Sequence, residues 1–193
     1  MMGKTSTTAG FRPKDRVVEL TGFPVYKQET DHTCGPCAVR MTLEYLGLKV
    51  DEATIARRSM THPAGTLPWT LAPGFNSFLS QLGKKAAIVG DAPDAYERIV
   101  SDLQKGIPTI FIYAVTDAFH PPKKVTHYGI AVGIDEPGGI ITVANPFGTM
   151  DKMPLQEWWD RFSIADEYAP AVEGLAVRLG ILKPRTAIFI SDR

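Results

Sequence analysis

Apolar residues at Cys37, Met41 and Tyr45 recur at the spacing of one helix face, after Pro36, which suits a first helical position, and before Gly47, which suits a C-terminal cap. This pattern predicts a helix opening at Cys34. Asp51 and Glu52 start a second, short helix through Arg58, and residues 62–73, punctuated by prolines and glycines, have the character of a loop that carries Trp69. Phe75, Phe78, Leu79 and Leu82 fit one face of a third helix closed by Gly83, residues 86–89 are a short strand, and Tyr96, Ile99, Val100 and Leu103 mark a fourth helix.

The second half changes period. Residues 107–115, 128–134 and 140–144 are short β-branched or aromatic runs separated by turn residues, and Asp135, Glu136, Pro137, Gly138 and Gly139 join the last two as a hairpin. Leu155, Trp158, Trp159 and Phe162 then form an amphipathic helix, with Trp158 and Trp159 as core and rim, and residues 186–190 add a final strand. Helices gathered before an antiparallel sheet predict an α+β layer fold. Residues 1–14, polar and aperiodic, predict a flexible leader ahead of the apolar run 17–20, and residues 15–193 one domain.

Twenty-one basic and 21 acidic residues leave no net charge, so neither a nucleic-acid backbone nor an acidic membrane surface is implied as a partner. The N-terminal stretch lacks an apolar signal-peptide core and no 18 consecutive apolar residues occur, which predicts a soluble, cytoplasmic protein without a membrane span. The two cysteines, Cys34 and Cys37, are too few for a disulfide framework. They lie close together and leave three possibilities: a redox pair, two metal ligands, or a nucleophile beside a small neighbour.

A thiolate over the N–H groups of a helix start is favoured by the helix dipole, and Gln28 stands six residues before Cys34 as a side-chain donor for an oxyanion. Such a nucleophile needs a base and a group that holds the base in its useful tautomer. The hairpin supplies both: His127 begins its first strand and Asn145 ends its second, with the same parity and therefore on one sheet face. Gly129 and Gly133 are expected to make room on that face for the Cys34 helix.

Gln28, Cys34-Gly35-Pro36, the run His127 to Asp135, and Asn145-Pro146 together resemble the bacteriocin-processing, double-glycine leader peptidase family of the papain-like cysteine peptidase superfamily, over about residues 20–165. The resemblance implies a papain-like fold with N-terminal helices packed on a C-terminal antiparallel sheet. It also implies a peptide or protein substrate and no cofactor or metal. By it Cys34 is the nucleophile, His127 the base, Asn145 the orienting residue and Gln28 the oxyanion donor. Such peptidases more often carry Asp-Pro than Asn-Pro at the third position, and a small residue such as Ala where Cys37 stands.

A redox reading competes, because Cys34-Gly35-Pro36-Cys37 at a helix start is also the thioredoxin motif, and Pro108 before an apolar strand looks like the proline facing it. It assigns no task to His127 or Asn145. A zinc site beginning at His32 lacks a second pair of ligands. The same fold also serves acyl transferases and peptide-binding modules. His62 and His120 are expected in solvated loops, with His120 a remote candidate for substrate contact, and Asp135, Glu136, Arg57 and Arg58 as solvated surface.

Overall fold

The computed structural model describes residues 14–117, 121, 124–164 and 182–193; residues 1–13 of the leader and His120 lie outside them. Its elements run β1 (Val17–Glu19), α1 (Cys34–Tyr45), α2 (Glu52–Arg58), α3 (Pro68–Leu79), β2 (Lys84–Val89), α4 (Ala95–Gln104), β3 (Thr109–Thr116), β4 (Lys124–Asp135), β5 (Ile140–Asn145), β6 (Thr149–Pro154), α5 (Leu155–Phe162) and β7 (Ala187–Asp192). The seven strands form one antiparallel sheet in the order β2-β7-β3-β4-β5-β6, with β1 paired to the far end of β4. The predicted α+β class is therefore observed. Strand β7 inserts between β2 and β3, where Ile188 lies opposite both Ile88 and Ile110.

Side chains alternate across a strand, so the two faces of β3 and β4 can be assigned. Phe111, facing the same side as Tyr113, His127 and Gly129, meets Trp158 and Phe162 of α5 edge-on at 5.6 and 5.7 Å. Tyr128 faces the other side, against the start of α1. Helices thus cover both faces, which is why β3 and β4 are near-continuous apolar runs rather than alternating ones. Trp158 and Trp159 are both wholly buried, so neither is a rim residue. Among the described residues no helix is long and apolar enough to cross a membrane.

Several expectations are corrected. Helix α1 begins at Cys34 with Thr33 at its N-cap, so Pro36 is the third helical residue; it is tolerated there because first-turn N–H groups have no intrahelical acceptor. Helix α3 starts at Pro68, takes in the last six residues of the expected loop, and places Trp69 on its first turn. Strand β6 has no apolar period, because Thr149–Pro154 is an edge with mostly solvent-facing residues.

Gly129 and Gly133 do not make room for α1. A Cβ at Gly129 would lie 3.0 Å from both Tyr113 and Val143, and one at Gly133, beyond a bulge in β4, would meet Thr142 and Glu19. Glu136 is not solvated surface. Its carboxylate is fully buried and accepts hydrogen bonds from the Arg16 guanidinium (2.7 and 2.9 Å), the Arg16 backbone N–H (2.9 Å) and the Tyr96 hydroxyl (2.7 Å). Burial alone would raise its pKa, but Arg16 and Tyr96 overcome that and hold it at about 2.

Candidate active site

Cys34 is positioned by the turn before it and by the glycine after it. The Thr30 backbone N–H donates to Thr33 Oγ1 at 3.1 Å, and the Thr33 carbonyl accepts the Cys37 N–H at 2.9 Å, so the chain enters α1 with Cys34 at its first position. Gly35 then lies under the Tyr128 ring, where a Cβ would stand 3.1 Å from Tyr128 Cε2 and 3.2 Å from Leu71. The Tyr128 hydroxyl donates to the Thr66 carbonyl at 2.9 Å and fastens the segment before α3 over the helix start. Cys34 and His127 line one cleft of about 200 Å³, walled by Thr66, Leu67, Trp69 and Ile112.

His127 is buried, and its ring is held on three sides. Phe147 stacks on it at 4.1 Å, Tyr113 lies at 6.1 Å, and Nε2 is 2.9 Å from Asn145 Oδ1. Two contacts fix the Asn145 amide: the Phe147 N–H donates to Oδ1 at 2.9 Å, and Nδ2 donates to Asp151 Oδ2 at 2.6 Å. An amide oxygen only accepts, so Nε2 carries the imidazole proton and the lone pair is on Nδ1. The pairing Ile130↔Ala144 explains the approach, since continued by one rung it sets Asn145 opposite Gly129, diagonal to His127 on the same face.

Asp151 and Phe147 were absent from the sequence reading. Asp151 sits on β6, the strand without a hydrophobic signature, and Phe147 has no periodic neighbour. Replacing Asp151 with Ala frees the Asn145 amide to rotate and should weaken the histidine tautomer, lowering kcat/KM by about tenfold while leaving the fold intact. Steady-state kinetics on a cleaved peptide checks this, and an unchanged kcat/KM would contradict it.

Gln28 is buried beside this turn. Its backbone N–H donates to the Pro146 carbonyl at 2.7 Å, and its neighbour Lys27 bridges to Phe147, which stitches the Gln28 segment to the Asn145 turn. Its side-chain Nε2 donates to the Thr30 carbonyl at 2.6 Å, while Oε1 is buried without a hydrogen-bond partner. Of its two amide hydrogens, one is thereby engaged within its own loop.

The electrostatics oppose the expected thiolate. Burial raises the Cys34 pKa, and the Tyr128, Gly35 and Cys34 N–H groups, which favour the thiolate as a helix start should, do not outweigh it. Burial likewise lowers His127 to about 4, against the opposing pull of Asn145, Asp117 and Asp151.

The depressed histidine has a consequence for stability. Between pH 6.5 and about 4 the unfolded chain binds a proton that folded His127 refuses, so stability is fully present above pH 6.5 and is lost as pH falls. The loss should reach about 3 kcal/mol. Urea unfolding across this range should show it in the wild type and much less in His127→Gln; parallel curves would contradict it.

The redox alternative loses its geometry. Pro108 precedes Thr109, which pairs with Ala131, whereas the cleft lies at Ile112 and Tyr128, about 13 Å further along the strand at 3.3 Å per residue. His62 is exposed, as expected.

Solved structures share the fold. The chain superposes with a TM-score of 0.63 on a putative C39-like peptidase from Bacillus anthracis, at 15% identity over 93% of this chain and 99% of that one. The peptidase domain of Streptococcus ComA, a bi-functional ABC transporter involved in quorum sensing, gives 0.59 at 14% identity, over 89% and 99%. A double glycine motif protease from an AMS/PCAT transporter, solved with its leader peptide, gives 0.53 at 16% identity, over 94% and 96%. These likenesses establish the fold. No curated protein matches the chain. The model of the Peptidase_C39 like family matches residues 20–167, and the chain belongs to that family.

Proposed function

We propose that the protein is a cysteine peptidase in which Cys34 attacks the carbonyl of a peptide bond, His127 transfers the proton and Asn145 orients His127. The observation that carries this reading is the His127–Asn145 hydrogen bond at the wall of the cleft that Cys34 also lines. The thiol proton passes to Nδ1 of His127 and the sulfur forms the C–S bond. His127 then protonates the leaving amine, and water, deprotonated by the same nitrogen, resolves the acyl-enzyme. The Cys34 backbone N–H and the second amide hydrogen of Gln28 bind the developing oxyanion, each donor worth about 10²- to 10³-fold in rate.

The family relation supports a peptide substrate, as does the leader peptide bound by one structural neighbour. The cleft, at about 200 Å³, is smaller than most small-molecule sites and suits a short extended segment with small side chains. In this reading residues 15–193 act as one peptidase domain. Incubation with a peptide library that includes Gly-Gly sequences, followed by mass spectrometry, should show cleavage by the wild type and none by Cys34→Ala. Equal products from both, or no cleavage of any library member, would overturn the reading.

A further inference from the structure

Cys37 and Glu52 are buried reactive groups to which peptide cleavage assigns no task. Cys37 is wholly buried and donates through Sγ–H to the Tyr26 carbonyl at 3.5 Å, and both cysteines are free. Three residues apart on α1, the two share a helix face with their Cβ atoms about 5–6 Å apart, close enough for a disulfide after a small adjustment. Glu52, at the start of α2, is fully buried. Its Oε1 accepts the Glu29 N–H at 2.9 Å, while Oε2 has no hydrogen-bond partner and the Arg40 guanidinium stands 3.9 Å away. Burial first, and the charge of neighbouring Glu52 second, keep the Cys37 thiol protonated at rest.

We propose that Cys37 is a resolving thiol that captures peroxide-oxidised Cys34 as a reversible intramolecular disulfide, with Glu52 accepting the Cys37 proton during the step. This rests on the reading of Cys34 as the reactive thiol of the cleft. In the first step His127 takes the Cys34 proton and the thiolate attacks a hydroperoxide: the O–O bond breaks, one oxygen stays on sulfur as the sulfenic acid, and the other leaves as water with that proton when the oxidant is hydrogen peroxide. In the second step the Cys37 sulfur attacks the Cys34 sulfur, the S–O bond breaks, and hydroxide leaves. The Cys37 proton, held in transit by Glu52, completes a second water. The disulfide blocks the nucleophile and prevents further oxidation, and an external dithiol restores both thiols. An Ala at position 37 would pack in the same space and lack this protection.

The experiment treats wild type, Cys37→Ala, Cys37→Ser and Glu52→Gln with limiting hydrogen peroxide, quenches with an alkylating reagent, and maps Cys34 by mass spectrometry before and after dithiothreitol. The wild type should show a Cys34–Cys37 disulfide and full recovery of both thiols. Both Cys37 variants should accumulate about tenfold more sulfinic acid on Cys34, which dithiothreitol does not reverse. Glu52→Gln should slow disulfide formation about tenfold, and an unchanged rate would remove Glu52 from the step. Equal sulfinic acid in wild type and Cys37 variants, with no disulfide, would overturn the proposal. Because the disulfide is detected by mass rather than by turnover, its absence counts against Cys37 even if peptides are cleaved, and its presence stands even if they are not.

Discussion

Replacing His127 with Ala is expected to lower kcat/KM for a cleaved peptide by about 10³-fold, within the range that a positioned acid–base group contributes. The size follows from the resting state of the site. Burial pushes the Cys34 thiol up, so its ionisation depends on an acceptor for its proton. A cysteine already ionised by its helix would depend on the histidine less. Asn145→Ala should cost less, about 10- to 10²-fold, because the ring stays stacked on Phe147 and loses only the partner that fixes its tautomer. Steady-state kinetics at pH 7 orders the three variants as Cys34→Ala worst, then His127→Ala, then Asn145→Ala. An Asn145 variant slower than the His127 variant would contradict the assigned roles.

Arg16→Ala should be the most destabilising surface-proximal change, at about 3 kcal/mol, because it strands the fully buried Glu136 carboxylate without its guanidinium. For a chain of this length the thermal midpoint should fall by about 6–12 °C. Arg16 also makes a two-pronged contact with Glu97 of α4 at 2.7 and 3.0 Å, so one side chain ties β1, α4 and the β4–β5 turn together. Neutralising the stranded charge in Arg16→Ala/Glu136→Gln should recover part of the loss, since an unpaired buried charge costs more than a neutral amide. Urea titrations of the three proteins check this, and a change within about 0.5 kcal/mol for Arg16→Ala would contradict it.

Much of the fold was legible because its signals are local. The apolar spacing of α4 and α5, the helix start at Asp51 and Glu52 and the β-branched runs of β3, β4 and β5 each reflect burial of a face, and the structure holds each of these elements, although β4 opens at Lys124, three residues before His127, where the strand was expected to begin. Features set by tertiary contact were not legible. Strand β6 exists because β5 needs a neighbour, not because Thr149–Pro154 has an apolar period. Glu136 looks like an ordinary turn residue until Arg16, 120 positions earlier, folds over it.

The candidate site divides in the same way. Residue type, spacing and strand parity single out Cys34, His127 and Asn145 as candidates, and the structure brings His127 and Asn145 into hydrogen-bond contact. Asp151, which holds the Asn145 amide, and Phe147, which covers the imidazole, could be recognised only once β5 and β6 were paired. A helix start favours the Cys34 thiolate, whereas the protein packed around the sulfur pushes its pKa up, a contribution that no local pattern carries.

The most direct measurement is mass-spectrometric mapping of adducts after brief, low-dose treatment with an epoxide-type cysteine peptidase inhibitor under reducing conditions, in the wild type and His127→Ala. The account predicts labelling at Cys34 and not at buried Cys37, falling sharply in the His127 variant because the thiol then has no proton acceptor. Labelling of Cys34 that is indifferent to His127, or no labelling at all, would contradict a histidine-activated thiol in this cleft.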